Sequence, residues 1–192
     1  MIKTKQDYLE FLAADARSLG RRPTLRTRLR DDVFRFQRSL RLVEYLTNTG
    51  APKPQLMLAR WIFRRQSIRL GFSIPVNVFG PGLAIAHYGT IVINSHTRIG
   101  ANCRIHVGVN IGTSAGFADA CPVIGDNCYI GPGVKIFGPI EIGPETAIGA
   151  NAVVTKSFPE GHGTLAGVPA RQISAKTTET LLTKGWSNTA AG

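Results

Sequence analysis

The sequence predicts a mainly β protein: a parallel, three-sided solenoid preceded by an α-helical region. Three observations predict it. Aliphatic residues recur every six positions through much of the chain. Glycine and asparagine recur in phase with them. The first third instead spaces its apolar residues as helices do and is dense in arginine. A period of six is neither the 3.6 of a helix nor the 2 of an ordinary strand. With 192 residues, 43% of them hydrophobic, the chain has the length of one domain with a small appendage. That is enough to bury a sizeable core.

The helical region is expected over residues 1–71. Asp7 to Leu12 opens a short amphipathic helix. Leu25, Leu29, Val33, Phe36, Leu40 and Val43 follow at gaps of 4, 4, 3, 4 and 3, the spacing of one helix face. Asn48-Thr49-Gly50 followed by Pro52 stops that helix, and Gln55 to Leu70 reads as a third. Residues 1–72 hold 16 Lys+Arg against 6 Asp+Glu, whereas the remainder holds 7 against 6. These arginines read first as a solvated face, next as an attraction to an anionic surface such as acidic lipid or an anionic glycan. No nucleic-acid-binding motif accompanies them, so no nucleic-acid partner is expected.

The solenoid is expected over residues 72–173. Ile93, Ile99, Ile105 and Ile111 lie six apart, as do Ile124, Ile130, Ile136, Ile142, Ile148 and Val154. The 13 residues from Ile111 to Ile124 read as two repeats with one inserted residue. Each hexad is one short strand and a corner, and three hexads close a coil. The aliphatic points inward and stacks on the next coil, since a single coil buries too little to stand alone. Asn102, Asn127 and Asn151 share one phase, where corners accept a positive φ. Cys103 and Cys128 occupy small-residue slots and read as packing residues, as does Cys121. The last stretch, 174–192, reads as a short tail prone to fray.

Three cysteines without a C-x-x-C spacing predict no disulfide framework and a reducing compartment. No apolar run reaches the length of a membrane span, and the opening residues lack the apolar stretch of a signal peptide. The expectation is a cytoplasmic protein, with peripheral association at the inner membrane face through the basic helices.

The repeat carries three specific segments: Ala86-His87-Tyr88-Gly89-Thr90-Ile91-Val92-Ile93, the run from Ile148 to Lys156, and Ala166-Gly167-Val168-Pro169-Ala170-Arg171. In this order and spacing they resemble the hexapeptide-repeat acyltransferases, most of all the serine acetyltransferase group and related O-acetyltransferases of polysaccharide biosynthesis. The resemblance implies a left-handed parallel β-helix, acetyl-CoA as co-substrate and a homotrimer, with two trimers pairing as a further possibility. It places the active sites between subunits.

Acyl transfer to a hydroxyl needs a base, donors for the oxyanion and a groove for the thioester. His87 lies six before Ile93, in a slot where the repeat wants an aliphatic, and by resemblance it is the general base. His106, 19 residues on, takes the place of a repeat glycine and is a weaker candidate for acceptor contact. Gly112 and Thr113 are weak candidates beside the oxyanion. By motif match Ala150, Thr155, Lys156 and Arg171 line the CoA groove, the two cations suiting phosphates. A related β-helix family is a zinc hydratase, but its H-x-x-x-x-H pair is missing and no metal is expected.

The departures bear on the acceptor. The family orients its histidine with an upstream Asp, yet Phe72-Ser73-Ile74-Pro75 has no acid. The Asp just before the family histidine is Ala86 here, and an Arg-His pair that contacts serine is Ala120-Cys121. Serine's ammonium and carboxylate call for charged partners that this stretch lacks. A carbohydrate hydroxyl on a glycan precursor is therefore the leading acceptor. L-serine is the alternative, and a non-catalytic scaffold that binds an anionic glycan or membrane surface is the reading of another class.

Overall fold

The computed structural model describes residues 1–116 and 120–187 and, of Arg28, the backbone alone. Four helices precede the strands: α1 (Lys5–Ser18), α2 (Leu25–Arg30), α3 (Asp32–Asn48) and α4 (Lys53–Leu70). Thr4 and Asp7 cap α1 reciprocally, the Thr4 hydroxyl accepting from the Asp7 amide and the Asp7 carboxylate from the Thr4 amide. One helix was expected to run on from Leu25. The chain instead breaks at Asp31, which leaves helical geometry and accepts from the Phe34 amide to begin α3. Leu25 and Leu29 consequently stand exposed, while Phe36, Leu40 and Val43 are buried. Gly71, in the left-handed conformation with φ 76°, ends α4 and turns the chain into the first strand.

The strands make three parallel faces of a left-handed β-helix. The first face stacks β1 (Phe72–Ser73), β3 (Ile91–Ile93), β6 (Asn110–Gly112), β9 (Lys135–Phe137) and β12 (Val153–Val154). The second stacks β4 (Arg98–Ile99), β7 (Val123–Ile124) and β10 (Glu141–Ile142), with bridges to Phe79 above and Phe158 below. The third stacks β2 (Ala84–Ile85), β5 (Arg104–Ile105), β8 (Tyr129–Ile130), β11 (Ala147–Ile148) and β13 (Thr164–Ala166), and β14 (Arg171–Ser174) closes it antiparallel.

The register shows why the hexad works. Ile85, Ile105, Ile130, Ile148 and Leu165 lie one above another, as do Ile93, Ile111, Ile136 and Val154, and all are buried. Each buried aliphatic is worth about 1.5–3 kcal/mol, and stacking multiplies the effect without any long-range fold. Ile124 pairs with Ile99 on the second face. The step from Ile111 to Ile124 is therefore one hexad carrying seven extra residues, not two repeats and one insertion. Asn102 and Asn127 turn the corner between the second and third faces, whereas Asn151 turns the one between the third and first. All three have positive φ.

Helix α3 roofs the open end of the solenoid. Phe36 and Leu40 join the coil aliphatics in one core. Gln37, also buried, donates from Nε2 to the Leu83 carbonyl at 2.7 Å and accepts from the Ile85 amide at 3.1 Å, taking the place of a missing strand beside β2. The guanidinium of Arg41, fully buried, binds Asp15, Glu44 and the carbonyls of Phe79 and Gly80. Asp15 in turn accepts from the amides of Gly82 and Leu83.

The tail does not fray over its described part. Thr164 Oγ1 donates to the Lys176 carbonyl near the last coil, and Thr178 donates to the Asn127 carbonyl. Lys184 pairs with Glu145, and Trp186 exchanges two hydrogen bonds with the Asn102 amide group. Gly185 finally meets Ser18 and Arg17 of α1. The segment straps the lower coils to the helical roof along one corner.

Candidate active site

The corner between the third and first faces is where β2 leads into β3. From Ile85 to Ile93 the chain takes eight residues instead of six, and the surplus pushes His87 and Tyr88 outward. His87 was expected at an aliphatic core phase. The register gives that phase to Ile85, and His87 is exposed at the corner. The sequence signal for His87 was its surrounding segment, and the repeat phase misplaced it.

His106 occupies the same corner one coil below. Its amide donates to the Ile130 carbonyl, its ring centroid lies 6.3 Å from that of His87 and 5.0 Å from Tyr129. Arg104 Nε donates to His106 Nε2 at 3.4 Å. Partial burial lowers the His106 pKa below its usual value, and the nearby positive charges of Arg104 and of His87 when protonated act in the same direction. The imidazole is thereby held neutral beside His87. Among the described residues no hydrogen bond reaches the His87 ring itself.

The other predicted residues separate into two groups. Ala150 follows β11 at the same corner, and the turn from Gly167 to Ala170 wraps it at the last coil. There the Val153 amide donates to Gly167 and the Ala170 amide to Val153, leading to Arg171 on β14. Gly112 ends β6, and Thr113, Thr155 and Lys156 follow β6 and β12, at the opposite edge of the first face. Ala150, Thr155, Lys156 and Arg171 are all exposed. One chain thus brings His87, His106 and Ala150 to a common corner, continued by Arg171, and sets Gly112, Thr113, Thr155 and Lys156 across a face from them.

Helices α1–α3 add what the sequence reading missed. A cleft of about 700 Å³ opens over Ala86, His87 and Tyr88. Arg26 and Arg30 line it from α2, Arg21 from the connection before α2 and Arg104 from β5, together with the carboxylates of Asp31 and Asp32. Asp31 holds Arg21 at 2.8 Å, and Asp32 meets Arg35 and Arg69. The stretch around His87 has no acid, as the sequence indicated, yet the cleft has charges of both signs. Apart from Arg104, they come from residues more than fifty positions away, a proximity no local motif signals. The loop from Thr113 to Pro122 includes residues 117–119, which lie outside the described ones.

Cys103 and Cys128 are buried in the coil interior, each thiol against carbonyl oxygens. The hydrogen bond with Cys128 and burial raise the Cys103 pKa, so this thiol stays protonated. Cys121 is buried as well. Among the described residues no group of three or more His, Cys, Asp or Glu gathers that would hold a metal ion.

Comparison with known proteins agrees with this architecture. Residues 121–156 match the family described as bacterial transferase hexapeptide (six repeats). A serine acetyltransferase of Mycobacterium tuberculosis is 36% identical over 135 residues, covering 69% of this chain and 57% of the relative. One of Haemophilus influenzae is 34% identical over 143 residues, covering 73% and 52%. The chain thus spans a little over half the length of these curated relatives. The crystal structure of serine acetyltransferase in complex with coenzyme A from Brucella abortus superposes with a TM-score of 0.69 at 28% identity, over 89% of this chain and 68% of that one.

Proposed function

Since this chain belongs to the hexapeptide-repeat acyltransferase superfamily, on its serine acetyltransferase-like side, we propose that it is an acetyl-CoA-dependent O-acetyltransferase with L-serine as acceptor. His87 is the general base. It takes the proton of the acceptor hydroxyl as that oxygen attacks the acetyl carbonyl, and returns it to the departing CoA sulfur.

One observation carries the acceptor: the cleft over His87 is lined by arginines and carboxylates together. Free serine is a zwitterion, and a cleft with both signs suits it where a neutral polyol needs neither. The stretch of solenoid around His87 lacks such charges, which is why the sequence by itself points to a carbohydrate acceptor. The relatives named serine acetyltransferases now support serine ahead of it. A carbohydrate hydroxyl is retained as the second reading on a specific ground: Ala86 and the Ala120-Cys121 pair put neutral residues where the family's pattern has charged ones.

Acetyl-CoA suits the residues of the His87 corner. Ala150 leaves room beside the coil, and Arg171 and Lys156 offer exposed cations for phosphates. A homotrimer follows as part of the proposal. Thr155 and Lys156 sit across a face from His87, so the edge of one subunit completes the groove begun by the His87 corner of its neighbour.

The test is thiol release from acetyl-CoA with L-serine and, separately, with sugars and nucleotide sugars. Serine-dependent release is expected, falling at least about a hundred-fold in His87→Ala, the low end of general-base contributions. Release with a carbohydrate only, again lost in the variant, moves the acceptor to the second reading. Silence with every acceptor and no CoA binding overturns the enzyme reading in favour of a scaffold.

A further inference from the structure

Helix α4 has a side that none of the described residues covers. Ala59 and Leu70 are buried and Phe63 and Gln66 half-buried, all toward α3 and the solenoid. On the other side Met57, Leu58, Trp61, Ile62 and Ile68 are exposed, Met57 and Ile68 by 70%. At 3.6 residues per turn these five fall within an arc of about 140°. Arg65 and Arg69 lie inside the arc, and Lys53, Arg60 and Arg64 along one margin of it. The Arg65 guanidinium stacks 4.7 Å above the Trp61 ring. The helix has five cations and no acid, and no acid occurs anywhere between Glu44 and Asp119.

From this face we infer an interaction surface for an anionic lipid membrane, on which α4 lies in the plane of the headgroups. Each component has a reason. Arginines beside an anionic leaflet gain electrostatic attraction, the aliphatic side chains leave water for the acyl boundary, and a tryptophan with an apolar body and a polar edge favours that depth. Two other occupants fit worse. A hydrated anionic polymer satisfies the arginines and leaves Met57, Leu58 and Ile68 in water. A second copy of the helix covers the apolar residues and sets five cations against five. Among the described residues no helix is long and apolar enough to cross a membrane, so the inferred association is peripheral.

The experiment is sedimentation of the full chain with vesicles of phosphatidylcholine alone and with vesicles containing phosphatidylglycerol, at low and high salt. Pelleting is expected only with phosphatidylglycerol, weakening as salt screens the charges. Trp61 fluorescence, read in a Trp186→Phe background, is expected to shift to the blue on binding. Arg64→Glu/Arg65→Glu is expected to lower partitioning at least about ten-fold, since each cation near the surface contributes roughly a five-fold change. Trp61→Ser/Ile68→Ser is expected to lower it to a similar degree. Thermal unfolding of both variants monitors the fold, because all four side chains are exposed.

Absence of pelleting with phosphatidylglycerol overturns the inference. So does undiminished binding by the Trp61→Ser/Ile68→Ser variant, which leaves a purely electrostatic surface of the kind a polymer uses. A change in oligomer mass in these variants, without vesicle binding by the wild type, assigns the face to a contact between copies.

Discussion

His106 illustrates how a neighbour sets the charge of a site. Burial, with Arg104 and His87 acting in the same direction, lowers its pKa below the usual 6.5. In a titration followed by nuclear magnetic resonance, its midpoint is expected below 6.5, with Nε2 unprotonated at neutral pH. Arg104→Leu is expected to move that midpoint upward by removing one positive neighbour. The sign for stability follows from linkage: the unfolded chain takes the proton first, so the contribution of neutral His106 is fully present above 6.5. It is lost as pH falls from there through the lower folded value. His87 shows the limit of phase as a guide. Counting sixes back from Ile93 reaches His87, yet the corner is two residues longer than a hexad and the stacked position is Ile85. An inserted pair is invisible to a period, and it turns this histidine outward.

Elements repeat because coils approach closely, and glycine permits the approach. A Cβ built at Gly125 would lie 2.7 Å from the Pro144 nitrogen and 3.0 Å from the Gly143 carbonyl carbon, both backbone atoms of the coil below. Gly125→Ala is therefore expected to destabilise by about 1–3 kcal/mol through overpacking, read as a lowered unfolding midpoint. The glycine that follows many of the repeat aliphatics was legible in the sequence as a pattern, and such a close backbone approach is its cause at Gly100, Gly125, Gly131 and Gly143. The helices were less legible. The regular gaps from Leu25 to Val43 suggested one continuous face, but Asp31 offers its carboxylate to the Phe34 amide and starts a new helix. A local side-chain hydrogen bond outweighs two leucines that have nothing to pack against. The tail has no periodic signal, since its order comes from hydrogen bonds to Asn102, Asn127 and Glu145 of three successive coils.

The molecule is held together at Arg41, where the helical roof meets the first coil. Burial alone lowers an arginine's pKa, but Asp15 and Glu44 outweigh it and raise it, so the guanidinium is always charged. Arg41→Ala leaves two buried carboxylates and two carbonyls without their donor. The expected cost is about 3–5 kcal/mol, measured by denaturant unfolding. Because Asp15 also holds the amides of Gly82 and Leu83, and Gln37 of the same roof holds the Ile85 amide of β2, the same variant is expected to loosen the strand that leads to His87. Roof and site are thus one mechanical unit. The cleft over His87 exists because α2 and the start of α3 overhang the first coils.

By itself the sequence determined the solenoid, its repeat, its buried aliphatics and the motif around His87. These are local and periodic: an inward residue every six positions needs only its neighbours above and below to be buried. Tertiary structure decided the rest. It alone shows that the seven surplus residues after Ile111 form one insertion, that the tail is a strap, and that arginines and carboxylates from the helices stand over a histidine some sixty residues later. Such meetings depend on where a roof lands on a coil. That is settled by Arg41, Gln37, Phe36 and Leu40 acting across sequence distances that no period records.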